Sequence, residues 1–163
     1  MHDPEDSGMT SDLIRAWRTS CRNTHSLLAA IPANCLGHRY SERTRTVAAQ
    51  FAHIHYVRVR NLEFRGPEFQ GDVTAFEKGA QPGKRELQAA LKASAAAMEG
   101  LLAQAEEVGK VKGWKGSLTS YLGYHAAHEA HHRALAIVCL RSGGHKLPQD
   151  VVYGLWDRWR KET

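Results

Sequence analysis

The sequence predicts an all-α protein: a bundle of four long helices with a short additional helix at the C-terminus. Apolar residues recur at three- and four-residue spacing through four long stretches, as a helix with one buried face requires. No segment alternates apolar and polar residues with the period of two that marks a half-buried strand. Clusters of Gly and Pro separate the stretches and mark the connections.

The first helix is expected over residues 10–30, with Ser11 or Asp12 near its cap. Leu13, Trp17, Thr24, Leu27, Leu28 and Ile31 are available to its buried side, and Pro32 ends it. Residues 32–43 (PANCLGHRYSER) read as a loop. The second helix spans residues 44–64, where Val47, Phe51, Ile54, Val57 and Leu62 form a stripe of core width. Residues 65–82 hold three Gly and two Pro in eighteen residues, a long connection of the kind that serves as a lid or mobile segment. The third helix covers residues 84–108, with Leu87, Leu91, Ala95, Met98, Leu102 and Ala105 at helical spacing. After a second loop, GKVKGWKG, Ser117 caps a fourth helix that Gly143 and Gly144 close. A final helix over residues 150–161 offers Leu155, Trp156 and Trp159 to the bundle.

Residues 11–163 are expected to form one domain, long enough to bury a proper core. Residues 1–10 (MHDPEDSGMT) are polar and acidic and lack the pattern of a signal peptide, so they read as a disordered leader on a cytoplasmic protein. No apolar run approaches the roughly 20 residues that cross a bilayer. Cys21, Cys35 and Cys139 are too few and too irregular for a disulfide framework or a Cys-x-x-Cys metal site, and read as reduced thiols. The net charge is +5, but the basic residues are dispersed among acids and no aromatic-plus-basic stacking motif is present, which argues against nucleic acid. Arg39, Arg43 and Arg45 form the one dense basic cluster, suited to solvent or to an anionic ligand.

The fourth helix carries the chemistry. At about 100° per residue, Tyr121, His125, His128, His132, Leu135 and Cys139 fall along one line. A buried imidazole needs partners for both nitrogens, and a metal ion satisfies several imidazoles at once. His128 and His132, four apart, project from one face one turn apart, a two-ligand arrangement for zinc, nickel or iron. His131 lies about 60° away from His128, towards a neighbouring helix or solvent. HEAHH (128–132) also matches His-Glu-x-x-His, in which Glu129 would serve as general base. The fuller zinc-protease form fails, because Leu135 and Val138 stand where Gly and His are required. A third ligand must come from another helix. His53 and His55 both qualify, each about 100° from the centre of the second helix's apolar stripe, on opposite sides.

The segment Val47-Ala48-Ala49-Gln50-Phe51-Ala52-His53-Ile54, followed by His128-Glu129-Ala130-His131-His132-Arg133, resembles the DinB/YfiT-like family of metal-dependent four-helix bundles. That resemblance implies His53, His128 and His132 as ligands of one divalent metal: zinc, with nickel or iron as alternatives. It implies a homodimer acting on a small-molecule substrate; the sequence features above argue separately against membrane and nucleic-acid partners. The implied reaction is thiol S-transfer with a low-molecular-weight thiol, or metal-dependent hydrolysis; a non-enzymatic metal-binding or ligand-binding bundle is the alternative. The chain departs from the family motif at Arg133-Ala134-Leu135, where Arg-Gly-Gln is usual. The missing Gln takes away a polar group that could orient a ligand. Under this reading residues 65–82 and Trp114 would wall the substrate site, with Arg58, Tyr121 or Tyr124 as polar contacts.

Overall fold

A computed structural model describes residues 10–161. The leader expected over residues 1–10 lies outside them except for Thr10. Among the described residues the chain is all-helical, with six α-helices and no strand. They are α1 (Asp12–Ala30), α2 (Val47–Arg65), α3 (Pro67–Gln70), α4 (Lys84–Val108), α5 (Leu118–Ser142) and α6 (Gln149–Lys161), with a 3-10 turn at Ala33–Cys35. Among the described residues no helix is long and apolar enough to cross a membrane.

Helix starts follow the local chemistry. The hydroxyls of Ser11, Thr46 and Ser117 accept from the amides of Ile14, Ala49 and Ser120, taking up donors that the first turn leaves without partners. At the start of α4 the Glu86 side chain accepts from the Gly83 amide. α4 ends at Gly109, whose φ of 79° is the left-handed conformation that stops a helix. Gly100 is an unusual residue for the interior of α4. A Cβ there would meet the Phe69 ring at 2.8 Å, so the glycine makes room for α3 to dock.

α4 and α5 each pack against both α1 and α2, while α6 lies against α1. The core is divided. One apolar cluster holds Leu27, Leu28, Val47, Phe51, Leu87, Leu91 and Leu140. The other holds Ile14, Trp17, Leu62, Met98, Leu102 and Tyr121. Between them, in sequence along every long helix, come buried polar residues: Ser20, Asn23 and Thr24 of α1, Arg58 of α2, Ser94 of α4, and His125, Glu129 and Arg133 of α5. The order of the clusters also gives direction. α2 and α4 both run from the first cluster to the second, whereas α1 and α5 run from the second to the first.

Parallel neighbours need a long return connection. This is why residues 66–83 are long: they carry the chain back along the molecule from the end of α2 to the start of α4. The segment includes α3 and is tied down by Phe69 against α4 and by the Thr74 carbonyl bound to His55. At the C-terminus the expectation holds in part: α6 buries none of its residues fully, Leu155 packs against the first cluster, and Trp156, expected against the bundle, is instead 71% exposed.

Candidate metal centre

α2 and α5 supply the site. His53 lies on the flank of α2 that faces α5, while His128 and His132 stand one turn apart on α5. Ring centroids are 5.3 Å apart for His53–His128, 4.6 Å for His53–His132 and 4.5 Å for His128–His132. One ring nitrogen from each lies within 4.8 Å of the others. Imidazoles around a tetrahedral ion at about 2.0–2.1 Å hold their nitrogens roughly 3.3 Å apart. The side chains are thus gathered to within small rotations of that arrangement.

All three rings are poised to donate a lone pair. Burial, then the nearby charges of Arg45 and His128, lowers His53 to about 4. Burial together with His128, His53, His131 and Arg45 lowers His132 to about 3. His128 is lowered too, chiefly by burial. The neutral imidazoles that result at pH 7 are the form a metal binds.

Gln50 settles the tautomer of His132. Its Oε1 accepts from His132 Nδ1 at 2.7 Å, which leaves Nε2 with the free lone pair. His128 Nδ1 is buried with no hydrogen-bond partner among the described residues, an unmet polar atom on a ring that faces the other two imidazoles. The residues present therefore fit one divalent ion. The rim is aromatic: Tyr56 stacks on His53 with centroids 5.9 Å apart, and Tyr124 on His128 at 6.2 Å. Both tyrosines are half-exposed.

A family model described as the DinB family matches residues 1–162. The chain belongs to the DinB family. No curated protein matches it significantly.

Other histidines of this DinB-family chain lie elsewhere. His55 points away from the trio; its Nε2 meets the Thr74 carbonyl at 2.8 Å and its ring faces Phe76. His131 is exposed, 5.1 Å from the His132 ring. His125 is buried and stands perpendicular to Trp17, Tyr121 and Tyr124 at centroid distances of 6.1, 4.8 and 5.2 Å. Neither of its nitrogens has a hydrogen-bond partner among the described residues, and three edge-on aromatic rings are its surroundings.

Glu129 is next to His128 in sequence but only 1% exposed. Arg58 grips it with two hydrogen bonds, Nε to Oε1 at 2.7 Å and Nη2 to Oε2 at 2.9 Å. Thr24 Oγ1 donates to Oε2 at 3.1 Å. The Arg58 guanidinium, its own hydrogen bonds and Arg133 hold the carboxyl below its usual range despite burial, which acts the other way. Arg58 also donates to the Leu91 carbonyl at 2.9 Å. The pair therefore locks together α2 and α5, the two helices that carry the ligands, with α1 and α4 tied in. Arg58, expected as a polar contact to a substrate, is instead completely buried in this pair. Tyr121 is buried and donates to Asn61 Oδ1, whereas Tyr124 does reach the histidines. Trp114 meets them only through Tyr124, at 5.6 Å.

Sequence reasoning missed Gln50 and Arg133. The signal for Gln50 was present, three residues before His53 on α2, within one turn. It supplies from the opposite helix a hydrogen bond to a ligand histidine, although Leu135 occupies the family's usual Gln position.

Proposed function

We propose that this chain is a divalent-metal-dependent four-helix-bundle enzyme, with a short additional C-terminal helix, that uses His53, His128 and His132 to act on a small-molecule substrate. The observation that carries the reading is the gathering of three neutral imidazoles from two helices, with a nitrogen of each within 4.8 Å of the others. Zinc is the metal we assign, with nickel and iron as the alternatives that imidazole donors admit. Three protein ligands characterise catalytic sites, whereas structural zinc sites usually complete four. When bound there, such an ion supplies the Lewis acidity that lowers the pKa of a coordinated thiol or water.

The chain's own residues do the rest. Gln50 holds His132 in one tautomer and one orientation. Partly exposed His53 and His128 leave the site approachable from solvent between Tyr56 and Tyr124. Arg45 places positive charge near all three rings, which favours an anionic substrate such as a thiolate. Glu129 has its oxygens bound by Arg58 and Thr24, so service as a general base would require that ion pair to open; we assign it to holding the ligand helices in register. These features favour thiol S-transfer over hydrolysis. We place the protein in the cytoplasm and, following the family resemblance, assign it as a homodimer.

Conjugation of a low-molecular-weight thiol to 1-chloro-2,4-dinitrobenzene tests the reading. The sulfur–carbon bond forms as chloride leaves, and the thiol proton passes to solvent. Zinc-loaded protein should accelerate the reaction, and metal-free protein and His132→Ala should not. Tight zinc binding without acceleration for any thiol would favour the non-enzymatic metal-binding reading instead.

A further inference from the structure

α6 packs on α1, and between α6 and α5 a groove of about 340 Å³ remains open. That is within the range of about 300–1,000 Å³ common for small-molecule sites. The groove is not lined by the three histidines. Its walls are apolar: Ile137 on one side, Leu155, Trp156 and Trp159 on the other, with Ala130 and Ala134 leaving the space between. Trp156 is 71% exposed, a large aromatic surface that the chain itself leaves uncovered.

One charged group lines this apolar space from within the core. Arg133 is 5% exposed. Its Nη1 donates to Thr24 Oγ1 at 2.9 Å and the Ser20 carbonyl at 3.4 Å, and lies 3.8 Å from Glu129 Oε2. Nε and Nη2 have no acceptor among the described residues. The charges nearby do not balance. Arg58 already takes both oxygens of Glu129, so two buried guanidinium groups share one carboxylate. The other titratable neighbours add no negative charge. Burial pushes the Cys21 thiol up to about 12, and His125 is neutral. No acidic residue lines the groove, and Arg141 adds a second cation to it.

A buried guanidinium with free donors is the counterpart of a planar anion, which its two-pronged geometry binds through two parallel hydrogen bonds. We infer that the α5–α6 groove binds a small organic acid with an apolar body. Its carboxylate is received by Nε and Nη2 of Arg133, and its apolar part lies against Leu155, Trp156 and Trp159. The ligand class follows from both halves of the site: a bare inorganic anion would leave the tryptophan surface uncovered, and a neutral apolar molecule would leave the guanidinium unpaired. The site is separate from the histidine trio, although Arg133 directly follows His132 in the chain.

Titration calorimetry on the full chain, metal-free and zinc-loaded, tests this with 4-phenylbutyrate and its neutral analogue 4-phenylbutanol. The acid should bind at least about tenfold more tightly than the alcohol, a difference of about 1.4 kcal/mol, and equally well with and without zinc. Arg133→Met should abolish that preference. Because Arg133 is buried and the variant could fold poorly, Ala134→Trp provides a second arm. Ala134 is exposed and lines the groove, so the indole should fill it and remove acid binding while the unfolding midpoint and zinc stoichiometry stay unchanged. Equal affinity for acid and alcohol, binding that survives Ala134→Trp, or acid binding that requires zinc would each overturn the assignment.

Discussion

His128 and Glu129 are consecutive residues, yet α5 sends them into regions built on opposite rules. Around Glu129 both carboxylate oxygens are matched: Arg58 is fully buried and bound to each of them, and Thr24 donates to one, with Arg133 at the edge of the cluster keeping donors free. Around His128 the polar atoms are crowded but unmatched. Three imidazoles face one another near solvent, and His128 Nδ1 has no hydrogen-bond partner among the described residues. A saturated buried network holds helices in place, and a gathered but unsatisfied one is available for a ligand. The difference separates the residues that build this fold from those that act on something outside it.

The sharpest way to break the comparison is to remove the carboxylate. Glu129→Leu leaves the Arg58 cation buried and uncompensated, and should lower unfolding stability by about 3–5 kcal/mol in urea titrations. Adding Arg58→Met should recover part of the loss, because an apolar pair of similar volume removes the stranded charge. If Glu129→Leu instead costs almost nothing while abolishing turnover by folded, metal-loaded protein, the carboxylate belongs to the chemistry and the contrast fails.

The histidine region should respond to metal rather than to truncation. Zinc at one hundred times its Kd should stabilise the protein by about 2.7 kcal/mol. His53→Ala should remove that increment. The metal-free variant should lie within about 1 kcal/mol of the metal-free wild type, as expected for a partly exposed side chain.

Gln50→Leu should be milder. It releases His132 Nδ1 without removing a ligand, so zinc affinity should fall about 10- to 100-fold in competition titrations. An unchanged affinity would remove Gln50 from the site.

A pH-dependent effect concerns His125. Its folded value of about 4 is below the roughly 6.5 expected in the unfolded chain. The unfolded state therefore takes up the proton first, and stability should decline as pH falls from about 6.5 to about 4. His53 and His132 contribute with the same sign in metal-free protein. Comparing metal-free wild type with metal-free His125→Phe isolates the His125 part, which should appear as a shallower decline in the variant.

Much of this contrast was legible in the sequence, and the gaps have physical causes. Helical period and caps located the long helices: α4 occupies the expected residues 84–108, and Ser117 and Gly143 bracket α5. The spacing of His128 and His132 placed them on one face. What period could not reveal was the pairing between helices. His53 and His55 lie symmetrically about the α2 stripe; the family resemblance favours His53, and the packing of α2 between α4 and α5 supplies the physical reason. The buried face of α5 turns towards Glu129 and Arg133, residues a hydrophobicity pattern assigns to solvent. Residues 65–82 read as a lid or mobile segment because a crossover between parallel helices has the composition of any long loop. Trp156 read as core because no sequence pattern shows that α6 leaves a groove beside α5.

The most direct test is metal content, measured by elemental analysis of untagged protein purified without a nickel column, alongside His53→Ala and His132→Ala. The account predicts one divalent metal per chain in the wild type and loss of that metal in both variants, with helical content retained. A wild-type chain that carries no metal, and takes up neither zinc nor nickel on incubation, would contradict it.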